Sequence, residues 1–159
     1  MANACVRTDN MAGTTLGKYL CTFEATADME NGSVVVVGKF KEGEREIREY
    51  STPTGKEKIG QVALIATPEV VKDKTYNSIA DFKNATGDLM RGYIIDFADV
   101  FSLTKEGFAE GSDFTVGNIV ELAAGTKLKA VKTATEGMTQ VGVLGAVENG
   151  YYPVDVVKA

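Results

Sequence analysis

The sequence contains no histidine and no tryptophan, and only two cysteines and three prolines among 159 residues. Without histidine, Ser-His-Asp and Cys-His catalysis cannot be assembled in their usual form. Histidine-ligated zinc, copper, haem and non-haem iron sites are excluded as well. No side chain has an ordinary pKa near neutrality, which leaves the amino terminus as the one such group. A basic surplus is also missing: 17 Lys and Arg face 22 Asp and Glu, a formal charge of −5. Binding phosphates by counterion release needs the opposite balance, so nucleic acid is not an expected partner. Apolar runs are short, the longest being Val62–Ala66. That is far below the ~18 residues of a membrane-crossing helix, and no membrane partner is expected. Met1–Asn10 lacks the basic-then-apolar order of an export signal. Cys5 and Cys21 show neither CxxC nor zinc spacing, so two free thiols in a reducing cytoplasm are expected.

What is present favours strands. The chain holds 18 Val, 7 Ile and 16 Thr against 8 Leu. Branched side chains are stiff at χ1 and suit a pleated surface. A folded chain of this mass buries about 70% of its unfolded surface, enough for a core without staples. One domain is expected over residues 18–159, preceded by an extended N-terminal arm over residues 1–17, which is small, polar and aperiodic. Lys18–Ala25 alternates Tyr19, Cys21, Phe23 and Ala25 on one face, the pattern of a half-buried strand. Ser33–Phe40 reads as a central strand, and Glu44–Ser51 as a charged one suited to a sheet edge. Further strands are expected at Gly60–Thr67, Leu89–Asp96, Ala98–Thr104, Phe114–Leu122, Lys127–Thr133, Gln140–Val147 and Tyr151–Val157. Asn-Gly and other Gly pairs punctuate them. Asn77–Ala85 is the helix candidate, capped by Asn77 or Ser78 with Asp81 in its first turn. The expectation is a mainly β fold, a small β-barrel or sandwich with one short helix and the arm.

Candidate chemistry is sparse. Gly13-Thr14-Thr15-Leu16-Gly17-Lys18 has three residues between its glycines and Tyr19 after the lysine. A phosphate loop requires four, then Ser or Thr to reach magnesium. Asp28, Glu30 and Gly32 miss the ligand positions of a calcium loop. Asp96, Asp99, Asp113 and Glu121 are the carboxylates a glycosidase would draw on, but their spacing sets no distance between them. Glu42, Glu44, Arg45, Glu46, Arg48 and Glu49 form a mixed-charge stretch, read as a solvated edge or as a rim that orients a partner. For Tyr151 and Tyr152, alternation places one in the core and one outside. No catalytic residue, metal or cofactor is expected.

The last third carries a resemblance. Val116-Gly117-Asn118-Ile119-Val120-Glu121-Leu122, Gly125, Leu128-Lys129-Ala130-Val131 and Val141-Gly142-Val143-Leu144 are similar to the strand rhythm of tailed-bacteriophage capsid decoration, or cement, proteins. Glu30-Asn31-Gly32-Ser33-Val34-Val35 and Ala66-Thr67-Pro68-Glu69-Val70 resemble segments of the same group. The resemblance implies a non-enzymatic virion protein, made in the host cytoplasm. It implies binding to the outer surface of the expanded capsid, bridging major capsid protein subunits, and self-association as a trimer or, second, a dimer. Binding only the mature lattice stabilises it, and many weak contacts add up through the shell. The arm is then expected to add a strand to a capsid sheet edge, anchored by Arg7, Asp9, Met11 and Leu16. The alternatives are another virion part, such as a tail-tube or head-completion protein, and a carbohydrate-binding module or cellular enzyme.

Overall fold

The computed structural model describes residues 2–70 and 78–156. Its strands are β1 Val6–Asn10, β2 Leu20–Glu24, β3 Val34–Phe40, β4 Ile47–Ser51, β5 Val62–Ile65, β6 Leu89–Ile94, β7 Val100–Thr104, β8 Ile119–Glu121, β9 Lys129–Val131, β10 Gln140–Leu144 and β11 Tyr151–Val156. A single helical turn, α1 Ala12–Thr15, follows β1. The fold is mainly β, as expected, and combines a closed barrel with an open sheet. The barrel runs β2-β4-β3-β5-β6, and the six-stranded sheet runs β1-β7-β11-β10-β8-β9.

The two longest apolar runs explain how barrel and sheet join. Along β3 and β5 successive side chains alternate between two cores. Val34, Val62 and Leu64 pack with Phe101, Leu103, Val120, Leu144 and Val154 of the sheet side. Val35, Ala63 and Ile65 pack with Cys21, Phe23 and Met90 inside the barrel. A wall buried on both faces has no polar alternation, which is why SVVVV and VALI read as continuous runs. Polar ties reinforce the junction: Val34 N–H donates to Thr126 C=O at 2.7 Å, and Thr139 N–H to Gly55 C=O at 2.7 Å.

Glycine matters at two places. A Cβ on Gly92 of β6 falls 2.5 Å from Phe23 Cε2, so the ring fills the space where a side chain is missing. Asn149 and Gly150 take φ of 51° and 81°, a mirror-image turn that suits strand twist. Glu148 and Tyr151 exchange two backbone hydrogen bonds across it, at 3.0 and 2.9 Å.

Two expectations are corrected and a third is made specific. Within the described residues, Asn77–Ala85 forms no α-helix; Asn77 itself lies outside them. Ser78 and Asp81 do make a capping box, but around a 3-10 turn of Ile79–Asp81 that ends at an extended Phe82. Ile79 is exposed, so no apolar face rewards a longer helix. Among the described residues the one α-helical turn lies instead at α1. Glu44–Ser51 supplies no sheet edge: β4 pairs with β3 antiparallel and with β2 parallel, closing the barrel. Finally, residues 6–10 of the arm are an edge strand of the molecule's own sheet, with Arg7 opposite Ser102 and Asn10 opposite Val100 on β7.

Candidate functional site

The arm residues separate into three environments. Arg7 and Asp9 come together on the outer face of the six-stranded sheet. Arg7 Nε lies 3.4 Å from Asp9 Oδ1, and its guanidinium sits 5.3 Å above the Tyr151 ring. Asp9 Oδ2 accepts from Ser102 Oγ at 2.6 Å. Leu16 stands elsewhere, half exposed after α1. Met11 contradicts its expected role as a partner anchor: it is 2% exposed and belongs to the molecule's own core. As the large apolar residue that follows β1, it gains more by burial here than by waiting for a partner.

The suspected chemical motifs are spent on internal structure. In the Gly13–Lys18 stretch, a Cβ on Gly13 falls 2.7 Å from Tyr93 Cδ1, so Gly13 serves a close approach between segments. The N–H of Ala12, which opens α1, donates to Asp99 Oδ1 at 2.9 Å. Asp28 pairs with Lys83 at 2.6 Å and takes the Thr86 N–H. Glu30 takes the Ala4 N–H at 2.7 Å and faces Lys127 at 3.7 Å.

The four carboxylates all accept hydrogen bonds from their own chain. Asp99, 3% exposed, also accepts from Asp96 N–H at 2.9 Å; burial pushes its pKa above the usual carboxylate value. Asp96 accepts from Phe97 N–H at 2.8 Å, and its hydrogen bond to Tyr19 raises that phenol's pKa. Glu121, 2% exposed, takes both the N–H and the hydroxyl of Thr135 at 2.9 and 2.6 Å. Asp113 binds Thr115, and those hydrogen bonds hold its pKa below the usual range. Each carboxylate closes a loop. Asp99 and Glu121 do so from buried positions and Asp113 from an exposed one.

In the mixed-charge stretch, Arg48 donates to Gly38 C=O at 3.1 Å and stacks 4.0 Å from the Phe40 centroid. It lines an open groove of about 390 Å³ with Glu24, Lys41 and Tyr50. Lys41 and Glu24 pair directly there, and Tyr50 Oη accepts the Thr26 N–H at 3.0 Å. The groove's polar groups therefore meet one another. Tyr152 packs against Phe108 and Phe114 at ring distances of 6.2 and 4.6 Å, while Tyr151 faces outward under Arg7. Cys5 and Cys21 are both buried free thiols.

One feature escaped the sequence. Paired residues in a sheet point to the same side, so the strand registers place Val131, Ile119, Val143, Asp155 and Val100 in one row across β9, β8, β10, β11 and β7. The core lies on the opposite side, against Ala130, Val120, Val154 and Phe101. The four branched residues of the row are partly exposed and belong to neither core. The row spans roughly 19 Å at about 4.8 Å per strand. Arg7 lies one row away on the same face, opposite Ser102, which in turn pairs with Pro153. Period-two alternation in strands of three to six residues shows which residues share a face, but only the register aligns them across five strands.

The fold defines the chain as a small β protein built from a barrel and a sheet. No protein-family model matches the sequence, and no curated protein and no solved structure matches it significantly.

Proposed function

We propose that the chain is a non-enzymatic capsid decoration protein of a tailed bacteriophage. It binds the outer surface of the expanded head and bridges neighbouring major capsid protein subunits, as a trimer or a dimer. The observation that carries this reading is where the resembling segments fall. Val116–Leu122, Leu128–Val131 and Val141–Leu144 contain β8, β9 and β10, three adjacent strands of one sheet. They are thus one structural block, and its outer face presents three of the four apolar side chains of the row. The carboxylates considered for catalysis are engaged by their own loops, which suits a protein whose work is contact. A tail-tube subunit needs free strand edges to form a ring, and β4, paired on both sides, offers none. The test is quantitative mass spectrometry of purified virions. Decoration gives roughly one copy per capsid subunit, the stoichiometry of a surface lattice. A handful of copies per particle points to a tail or head-completion role and overturns the proposal.

A further inference from the structure

We infer that the outer face of the six-stranded sheet is the docking surface, and that its occupant presents a lysine or arginine set in an apolar patch to meet Asp155. This rests on the decoration reading and specifies the contact it uses. Three observations carry it. The row of Val131, Ile119, Val143 and Val100 is apolar, lies across five strands and faces away from both cores. Asp155 interrupts that row, is exposed, and has no ion-pair partner among the described residues. Arg7, the nearby cation of the arm, is already held by Asp9 and Tyr151.

Covering the row therefore buries one carboxylate that no described residue of the chain neutralises. Burying an unpaired charge is strongly unfavourable, so the occupant has to bring the cation. In a second copy the row itself supplies none, since its members are Val131, Ile119, Val143, Asp155 and Val100. Two copies stacked face to face about the middle of the row, on β10, bring β11 of one against β8 of the other. Each Asp155 then lies over the apolar Ile119 of its mate, and neither carboxylate has a cation directly opposite it. A heterologous surface carrying one cation avoids this, and on the decoration reading that surface belongs to the major capsid protein.

The test uses expanded heads of the encoding phage assembled without this chain, titrated with the purified full-length protein and three variants. Circular dichroism and a thermal melt check that each is folded. Val143→Glu is expected to bind at least about 100-fold more weakly, because it places a second unpaired charge in the contact. Asp155→Lys is expected to lose about tenfold or more by meeting a like charge. Arg91→Glu, on the barrel far from the row, is expected to stay within about twofold. If the wild type binds and folded Val143→Glu binds equally well, the docking face is wrong while the decoration reading stands. If the wild type does not bind, the decoration reading falls and the inference with it. If Val143→Glu instead dissociates a wild-type oligomer in sedimentation velocity and leaves head binding intact, the occupant is a second copy and the inference is overturned.

Discussion

Glu57 shows how a single side chain fixes a loop in this molecule. Its carboxylate accepts the Thr54 N–H at 2.9 Å, the Thr54 hydroxyl at 2.8 Å and the Gly55 N–H at 3.0 Å. Those bonds, led by the Thr54 N–H, lower its pKa to about 2. A depressed folded-state pKa supplies stability above the unfolded value, near about 4.3, and that stability is lost as the pH falls toward the folded value. The urea midpoint of the wild type is therefore expected to drop between pH 4.5 and 2 more steeply than that of Glu57→Gln. Parallel profiles would contradict this role. Gly92 makes a steric counterpart. A Cβ there meets the Phe23 ring at 2.5 Å, inside a packed barrel. Gly92→Val is expected to destabilise by about 1–3 kcal/mol through overpacking, measured by chemical denaturation. The paired variant Gly92→Val with Phe23→Leu is expected to recover part of that loss, since it removes the clashing ring.

At the scale of elements, Asp99 ties the start of α1 to the turn between β6 and β7. Both of its oxygens are used, one by Ala12 N–H and one by Asp96 N–H. Burial raises its pKa, so ionisation itself opposes folding as the pH rises through that raised value. Asn relieves the charge but offers one acceptor oxygen where two donors wait. Asp99→Asn is expected to lower stability at pH 7 by about 1–3 kcal/mol, the cost of a buried donor without a partner. A stabilised variant would show that desolvation outweighs the two bonds. β1 makes a related point. Deleting Ala2–Asn10 uncovers the edge of β7 and is expected to lower the melting temperature, whatever it does to binding.

The strands were legible in the sequence because their apolar content and Gly-punctuated turns are local signals. β3 and β5 announced themselves through Val34–Val37 and Val62–Ile65, whose two-sided burial leaves no polar position. The helix over Asn77–Ala85 was misread because a capping box is local while a helix needs an apolar face, and Ile79 points to solvent. The pairing of the arm was hidden for the opposite reason. Main-chain pairing with β7 leaves little trace in the side chains of Val6–Asn10, and Met11 alone gave no period to detect. The edge assigned to Glu44–Ser51 followed from its charge, yet a short barrel strand keeps its polar side chains on the outer wall while pairing on both sides.

At the scale of the whole molecule, the candidate contact surface was only half visible. Arg7 and Asp9 were singled out from the sequence and do share the outer face of the sheet, whereas Met11 turned inward. The apolar row escaped because its members are separated by up to 55 positions and meet only through register: Val100 and Asp155 are one such pair. Surface apolar residues scattered singly carry no meaning, while a contiguous row does. Such a row gives a chain of ordinary composition a surface suited to specific contact. The most direct measurement is a cryo-EM reconstruction of expanded heads saturated with the chain. The account predicts density on the outside of the shell, with the face bearing Val143 and Asp155 against the major capsid protein and a capsid lysine or arginine beside Asp155. Density inside the shell or in the tail, or no added density at all, would contradict it.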